Sequence, residues 1–349
     1  MVTLAYFDRW FDPIGPRIVA EGGVTLVRLG YDDPPERIRS ALREAEGYQV
    51  QARTELRGPY AVTAELLGRM PRLLAVSSSG AGHDVIDVEA CTAAGVAVMN
   101  QSGTNSESVA EHTLGLLLAL SKRMWQGSRA LAAGTAGDRW ALTGHDLRGR
   151  TLGIVGLGNI GRRVAGYAAA FGMAVIARDP YLSAEEINAR GAQAVGFDEL
   201  VATSDFVTVH CPRDASTLGM FTAPQFARMK ATAYFVNTAR GGIHDEADLI
   251  NALDAGELAG AALDVFDDEP PAPDNPLISH ELVIATPHLA GVTVDAFRNM
   301  SEAAARQWLT LFAGGIPPRL VNPQVWPLYR SRFARLLGTV PAELGRAAR

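Results

Sequence analysis

A chain of 349 residues is long enough for two domains, each able to close its own core. Its 48% apolar and 20% charged residues are those of an ordinary globular protein, and a net charge of −6 argues against a general nucleic-acid binder. Two cysteines far apart, Cys91 and Cys211, form no metal-like spacing; they read as small buried groups in a reducing compartment, and no metal site is expected.

Apolar strand-like runs alternate with helix-like segments along the chain, the pattern of an α/β protein with parallel sheets. The start, Met1 to Trp10, lacks the basic, apolar and small-residue succession of a secretory leader. Val164 to Ala177, the longest nearly uncharged run, is shorter than the ~20 residues of a membrane span and reads as a helix followed by a strand. A cytoplasmic protein with no membrane partner is the expectation. Strands are predicted at Val2–Phe7, Val24–Arg28, Leu73–Ser77 and Val96–Asn100, with helices over Arg37–Ala45 and Val85–Ala94. Ser106 to Leu131 then reads as one extended helix, of a length that suits a bridge between domains. After a turn-rich segment around Trp140, strands are predicted at Thr151–Val155, Met173–Ala177, Phe206–His210, Ala233–Asn237, Gly260–Asp264 and Leu282–Thr286. Helices over Ile160–Phe171 and Glu246–Ala255 lie between them, and a last long helix, about Thr293 to Phe312, follows the completed second set. It is expected to return to the first domain, which makes that domain discontinuous. The division expected is 1–103 plus 287–349 and, inserted between them, 104–286. The tail after Asn322, with Arg330, Arg332, Arg335, Arg346 and Arg349, reads as either a docking arm or a frayed end.

The strand Thr151–Val155 runs into Gly156-Leu-Gly158-Asn159-Ile160-Gly161, and a helix follows. In that context the three glycines have separate tasks: a tight turn at Gly156, close approach of a pyrophosphate at Gly158, and helix-on-strand packing at Gly161. The helix N-terminus then offers N–H groups and a positive dipole end to phosphates. Asp179, at the end of the next strand, is placed to accept from ribose hydroxyls.

Three further stretches fall at the C-terminal ends of predicted strands, where an open α/β sheet holds its ligands. They are Asn237-Thr238-Ala239-Arg240-Gly-Gly, Asp264-Val-Phe-Asp-Asp-Glu269-Pro-Pro and Thr286-Pro-His288-Leu-Ala-Gly291. Reduction of a 2-oxo acid needs the three heads they carry. A guanidinium can bind the carboxylate and polarise the carbonyl, an imidazole can deliver a proton to oxygen, and a carboxylate against the imidazole can stabilise its charged form.

With these motifs and the segment Ser78-Ser79-Gly80-Ala-Gly82-His-Asp84-Val-Ile-Asp87, the chain resembles the D-isomer-specific 2-hydroxyacid dehydrogenase family from about Leu73 to Met300. The resemblance implies two Rossmann-like α/β domains with parallel sheets: a discontinuous, flavodoxin-like substrate domain and an inserted Rossmann domain binding NAD, with NADP the lesser alternative. It implies Arg240, Glu269 and His288 as the catalytic set, and a small 2-oxo or 2-hydroxy acid as substrate. The backbone at Ser79 and Gly80 would hold the substrate carboxylate, and Asp264 with the main chain near Ala239 the nicotinamide carboxamide. His210, Cys211 and Pro212, with Thr217 nearby, would line the adenine side; Thr238 and Gly291 complete the cofactor contacts. The long helix and the Trp140 segment resemble the family's dimerisation region, so a homodimer is expected.

Two departures bear on the ligands. Arg178 precedes the ribose acid Asp179, where the family commonly has an aromatic or similar residue, and this leaves the strictness of NAD choice open. Ser78 stands where some phosphoglycerate dehydrogenases carry an arginine for the phosphate, which disfavours a phosphorylated substrate. Two other readings stay open on the same scaffold: a formate dehydrogenase, which pairs its histidine with glutamine and is disfavoured by Glu269, and a dinucleotide-sensing corepressor-like protein.

Overall fold

A computed structural model of the chain describes residues 2–343. The chain forms two compact units, one from residues 2–105 and 293–343, the other from residues 106–292. The boundaries fall near 105 and 292, not 103 and 286 as expected. Residues 287–292 stay with the second unit because the N–H groups of Leu289 and Ala290 are tied to its buried Asp264.

The first unit holds five strands: β1 (Thr3–Phe7), β2 (Thr25–Leu29), β3 (Gly47–Val50), β4 (Ala75–Ser78) and β5 (Ala97–Met99). They pair in parallel in the order β2-β1-β3-β4-β5, the flavodoxin-like winding. The helix Val294–Phe312 belongs to this unit and buries Trp308 on the sheet, with the indole N–H donating to Gln49 Oε1 at 2.7 Å. Burying an apolar side chain of this size stabilises by roughly 2–3 kcal/mol, and the indole hydrogen bond removes the penalty for its one polar atom. The tail is neither arm nor frayed end up to Leu337. Trp326–Leu337 is a helix whose Trp326, Tyr329 and Phe333 enter the same core as Trp308. Arg330 and Arg332 on it donate to backbone carbonyls, Arg332 to Leu73 and Pro71. Arg346 and Arg349 lie outside the described residues.

The second unit holds seven parallel strands: β6 (Thr151–Val155), β7 (Ala174–Arg178), β8 (Gln193–Ala194), β9 (Phe206–Val209), β10 (Tyr234–Asn237), β11 (Gly260–Leu263) and β12 (Val283–Ala285). Their order is β12-β11-β10-β9-β6-β7-β8, a Rossmann arrangement with its switch point between β6 and β9. Strands β9, β10 and β11 are buried along their whole length, as a parallel sheet covered on both faces requires. The extended helix expected over Ser106 to Leu131 is two helices, Ser106–Ser121 and Met124–Ala132, both inside this unit. The chain breaks at Arg123, which takes a left-handed φ of 50°, while the Ser121 hydroxyl and carbonyl bond the backbone of His145. Among the described residues, no helix is long and apolar enough to cross a membrane.

Candidate active site

Because all strands of the second sheet run the same way, the loops after β7, β6, β9, β10, β11 and β12 emerge in that spatial order along one edge. Asp179 follows β7, the glycine turn follows β6, and His210 to Thr217 follow β9. Arg240, Glu269 and His288 come from the loops after β10, β11 and β12.

The glycine turn sits at the switch point. Gly156 has φ +90°, and a Cβ there would lie 2.7 Å from the Cys211 nitrogen and 2.8 Å from the His210 carbonyl carbon. At Gly161, the first residue of the helix Gly161–Ala170, a Cβ would stand 2.1 Å from the Gly156 oxygen. Only hydrogen fits at either place, whereas a Cβ at Gly158 would meet nothing within 4 Å. Gly158 is thus open on the side where a ligand can approach, next to Asn159 and Ile160 at the helix start. Asp179 Oδ2 accepts the Leu157 N–H at 2.9 Å and Oδ1 the Tyr181 N–H at 3.0 Å. Asp179, from which sequence reasoning expects a ribose contact, therefore anchors the glycine turn.

On the other side of the turn, His210 Nε2 lies 3.0 Å from Thr208 Oγ1, and no described group reaches its buried Nδ1. Burial pushes the imidazole down to about 3, so the ring is neutral. Cys211 is half-buried, not enclosed like Cys91, and burial raises its thiol to about 11. Thr217 closes the loop by donating to the Pro212 carbonyl at 2.7 Å. An open glycine cradle, a helix start, an acid after the next strand and an orphaned buried nitrogen together fit a dinucleotide.

Between the loops after β11 and β12, His288 Nδ1 lies 2.9 Å from Glu269 Oε2. The Glu269 side chain is 9% exposed and the His288 side chain 33%, so the acid is sheltered and the ring keeps one side open. The second Glu269 oxygen accepts from the Phe266 N–H at 3.3 Å. His288 has a left-handed φ of 54°, unusual for a residue with a Cβ. Asp264 holds it there. Its Oδ1 accepts from Thr286 Oγ1 at 2.6 Å and the Leu289 N–H at 2.7 Å, its Oδ2 from the Ala290 N–H at 2.8 Å, and its carbonyl from the His288 N–H at 2.9 Å. Three of the roughly four acceptor positions of this buried carboxylate are therefore engaged by the loop, which makes Asp264 first an anchor for His288. His112, on the helix Ser106–Ser121, adds its Nε2 at 3.8 Å from Asp264 Oδ1.

The Arg240 turn is packed against the neighbouring loop. A Cβ at Gly241 would fall 1.9 Å from the Phe266 oxygen, and the Gly242 N–H donates to Asp267 Oδ1 at 2.5 Å. Arg240 Nη1 donates to the Ala239 carbonyl at 2.7 Å, and Thr238 Oγ1 lies 3.1 Å from Thr113 Oγ1. Gly291 ends the His288 loop. The structure thus brings Glu269 and His288 into direct contact and sets Arg240 in the loop after the strand that neighbours β11.

Ser79 and Gly80 belong to the first unit, after β4. The Ser79 N–H is not available as expected, because it donates to the Val50 carbonyl at 2.9 Å. Gly80 N–H makes only a 3.3 Å bond to Ser78 Oγ, which a better acceptor could replace. Sequence reasoning missed Asn237, His244, Thr286 and His112 as supporting groups. Their role depends on which backbone groups they meet, and residue spacing carries little of that.

Comparison with known proteins agrees with this fold. Residues 114–290 match the family model for the D-isomer specific 2-hydroxyacid dehydrogenase NAD binding domain. D-3-phosphoglycerate dehydrogenase of Rattus norvegicus is 39% identical over 313 residues, covering 90% of this chain and 57% of that protein. The chain spans about half the length of the curated relatives it matches. Among solved structures, a glyoxylate reductase from Paecilomyes thermophila aligns with a TM-score of 0.80 at 29% identity, covering 93% of this chain and 99% of that one. A D-lactate dehydrogenase from Aquifex aeolicus, complexed with NAD and lactic acid, aligns with a TM-score of 0.78 at 28% identity, covering 91% and 98%. With the fold, the glycine turn and the family match in agreement, the chain belongs to the D-isomer specific 2-hydroxyacid dehydrogenases.

Proposed function

We propose that the chain interconverts a small 2-oxo acid and its D-2-hydroxy acid with NAD(H) as the cofactor. The observation that carries the reading is the 2.9 Å contact between His288 Nδ1 and Glu269, one strand away from the Arg240 turn. When bound, the nicotinamide supplies or accepts the hydride. Gly156 to Gly161 and the helix behind them would hold the pyrophosphate, and Asp179 the ribose hydroxyls. Arg240 binds the substrate carboxylate with its planar fork and polarises the neighbouring carbonyl. His288, held through Nδ1, turns Nε2 to the carbonyl oxygen and gives it a proton during reduction; in oxidation the neutral ring takes the proton back. Glu269 orients the ring and offsets the imidazolium charge.

The curated relatives are named for phosphoglycerate, but the absence of an arginine at Ser78 favours an unphosphorylated acid. Steady NADH oxidation with glyoxylate, pyruvate, hydroxypyruvate and 3-phosphohydroxypyruvate tests both points. Turnover of the smaller acids is expected. NADH binding without turnover of any acid would favour a dinucleotide sensor, and the highest kcat/KM on the phosphorylated acid would overturn the choice of substrate. A homodimer is part of the same reading. It is supported by the exposed Met124, Trp125, Leu131 and Trp140 on the helix Met124–Ala132 and the turn after it. Light scattering at micromolar concentration should give twice the chain mass.

A further inference from the structure

Two buried polar side chains hold the turn that carries Arg240, and neither has a part in binding or proton transfer. Asn237 ends β10 and is fully buried. Its Oδ1 accepts the Ala239 N–H at 2.9 Å, the side-chain-to-backbone closure of an Asx turn. Its Nδ2 donates to the Arg240 carbonyl at 2.9 Å and lies 3.1 Å from Nδ1 of His244. Both amide hydrogens and the amide oxygen are thereby used. Because Nδ2 can only donate, Nδ1 of His244 must be the acceptor, and the ring proton rests on Nε2. His244 is 1% exposed and packs beside the Phe235 ring at 5.5 Å. Burial pushes it down to about 4, so the acceptor persists at neutral pH. A flipped amide would set NH2 against the Ala239 N–H and an oxygen against the Arg240 carbonyl. The two backbone groups thus select the amide orientation, and the imidazole accepts the one amide hydrogen that they leave over.

We infer that Asn237 and His244 are positioning residues for Arg240: His244 takes up the remaining hydrogen of the buried Asn237 amide and so holds it in place, and the amide fixes the turn from which the guanidinium engages the 2-oxo acid. The inference rests on Arg240 being the carboxylate anchor. An apolar side chain at 244 would fill the same space but leave a buried Nδ2 hydrogen without an acceptor inside the unit, so the amide would gain by moving away from its place in the turn. The carboxylate grip would loosen while the glycine turn, on the far side of β9, would be untouched.

The test uses His244→Leu, His244→Asn and His244→Gln in the full chain. The substrate is whichever acid of the four above the wild type reduces most efficiently. NADH affinity is read by fluorescence titration, and melting temperature is recorded alongside. His244→Leu should lower kcat/KM roughly ten- to a hundred-fold, mainly through KM for the acid, with NADH affinity within about two-fold. His244→Asn, whose Oδ1 stands where Nδ1 was, should recover to within about three-fold of wild type, and His244→Gln, with its acceptor one bond farther out, should not. If the leucine variant fails to fold, the asparagine and glutamine pair decides. Equal effects of those two, or a loss that follows NADH affinity, would overturn the inference. A wild type that turns over none of the acids sinks the assignment of Arg240 and this inference with it; active wild type with indifferent variants sinks this inference alone.

Discussion

The turn after β6 and the turns after β10 to β12 share one sheet edge, yet they are shaped by opposite means. At Gly156 and Gly161 the backbone is held close by what is missing, since a Cβ at either would collide with backbone atoms within 3 Å. At Arg240 and His288 the backbone is held by what is present: a buried amide, Asn237, and a buried carboxylate, Asp264, each bonding the loop that follows or faces it. A steric device needs no partners and tolerates no side chain. A polar device works only while every buried partner is in place and in the right protonation state. The two halves of the edge should therefore fail in different ways.

The largest effect belongs to the catalytic side. On the proposed mechanism, His288→Ala removes the proton donor while leaving Asp264, Glu269 and the glycine turn in place. A positioned acid–base group contributes on the order of 10²–10⁴ in rate, so kcat should fall by that factor with NADH affinity nearly unchanged. Retention of near-full activity would mean that the proton comes from elsewhere.

The steric side is broken by one methyl group. Gly161→Ala sets a Cβ 2.1 Å from the Gly156 oxygen, a rigid backbone atom that can yield only if the turn moves. Overpacking of this kind costs about 3 kcal/mol at its upper range. Chemical denaturation should show that loss, and NADH titration should show weakened binding. Gly158→Ala, with no atom within 4 Å, is the control. It should leave stability alone and weaken only NADH binding.

Next comes the pH response of the polar side. An unfolded histidine takes a proton near pH 6.5, whereas buried His244 does so only at about 4. Between those values the unfolded chain holds more protons, so stability falls as pH drops through the window and is fully present above it. For His244 this amounts to about 2 kcal/mol between pH 7 and pH 5. Denaturation curves at the two pH values should show His244→Leu losing less than wild type by that margin. Equal losses would mean that His244 does not stay neutral in the folded unit.

What could be read from residues alone follows the same division. Thr151–Val155 and its glycines were legible because a steric requirement is written locally, as residues that lack a side chain. Arg240, Glu269 and His288 could be singled out at strand ends, and the structure sets His288 against Glu269. Asn237 and His244 could not be, since an amide and an imidazole seven positions apart acquire meaning only once the turn brings Nδ2 to Nδ1. In the first unit, β3 (Gly47–Val50) escaped notice because it is four residues long and only Tyr48 and Val50 carry an apolar alternation. The burial of its other face, Gly47 and Gln49, comes from Trp308, more than 250 positions away, which lies against Gly47 and hydrogen-bonds Gln49. The break at Arg123 has no local punctuation in Ser-Lys-Arg-Met, and is set by the Ser121 to His145 bonds. The tail helix did carry its signal: Trp326, Tyr329 and Phe333 stand at i, i+3 and i+7, a stripe masked by the arginines between them.

The smallest expected effect lies where the two devices meet. Asp179 is a polar tie within the sterically built turn, accepting the Leu157 N–H with one oxygen and the Tyr181 N–H with the other. Asp179→Asn keeps the size of the side chain but turns one acceptor into a donor facing an N–H, and it removes the negative charge. The turn should hold, since Gly156 and Gly161 shape it without help, so melting temperature should move little. NADH affinity should fall about ten- to fifteen-fold, the worth of one hydrogen bond to a charged group at its lower range. NADPH should lose less or gain, because a carboxylate at the ribose position repels a 2′-phosphate and an amide does not, while Arg178 next to it supplies positive charge. The ratio of kcat/KM for NADH over NADPH is the measurement. A ratio unchanged by the substitution would show that Asp179 serves the turn and not the ribose. A large loss of stability would show that the glycine turn depends on its polar tie after all, and the contrast between the two halves of the edge would fall with it.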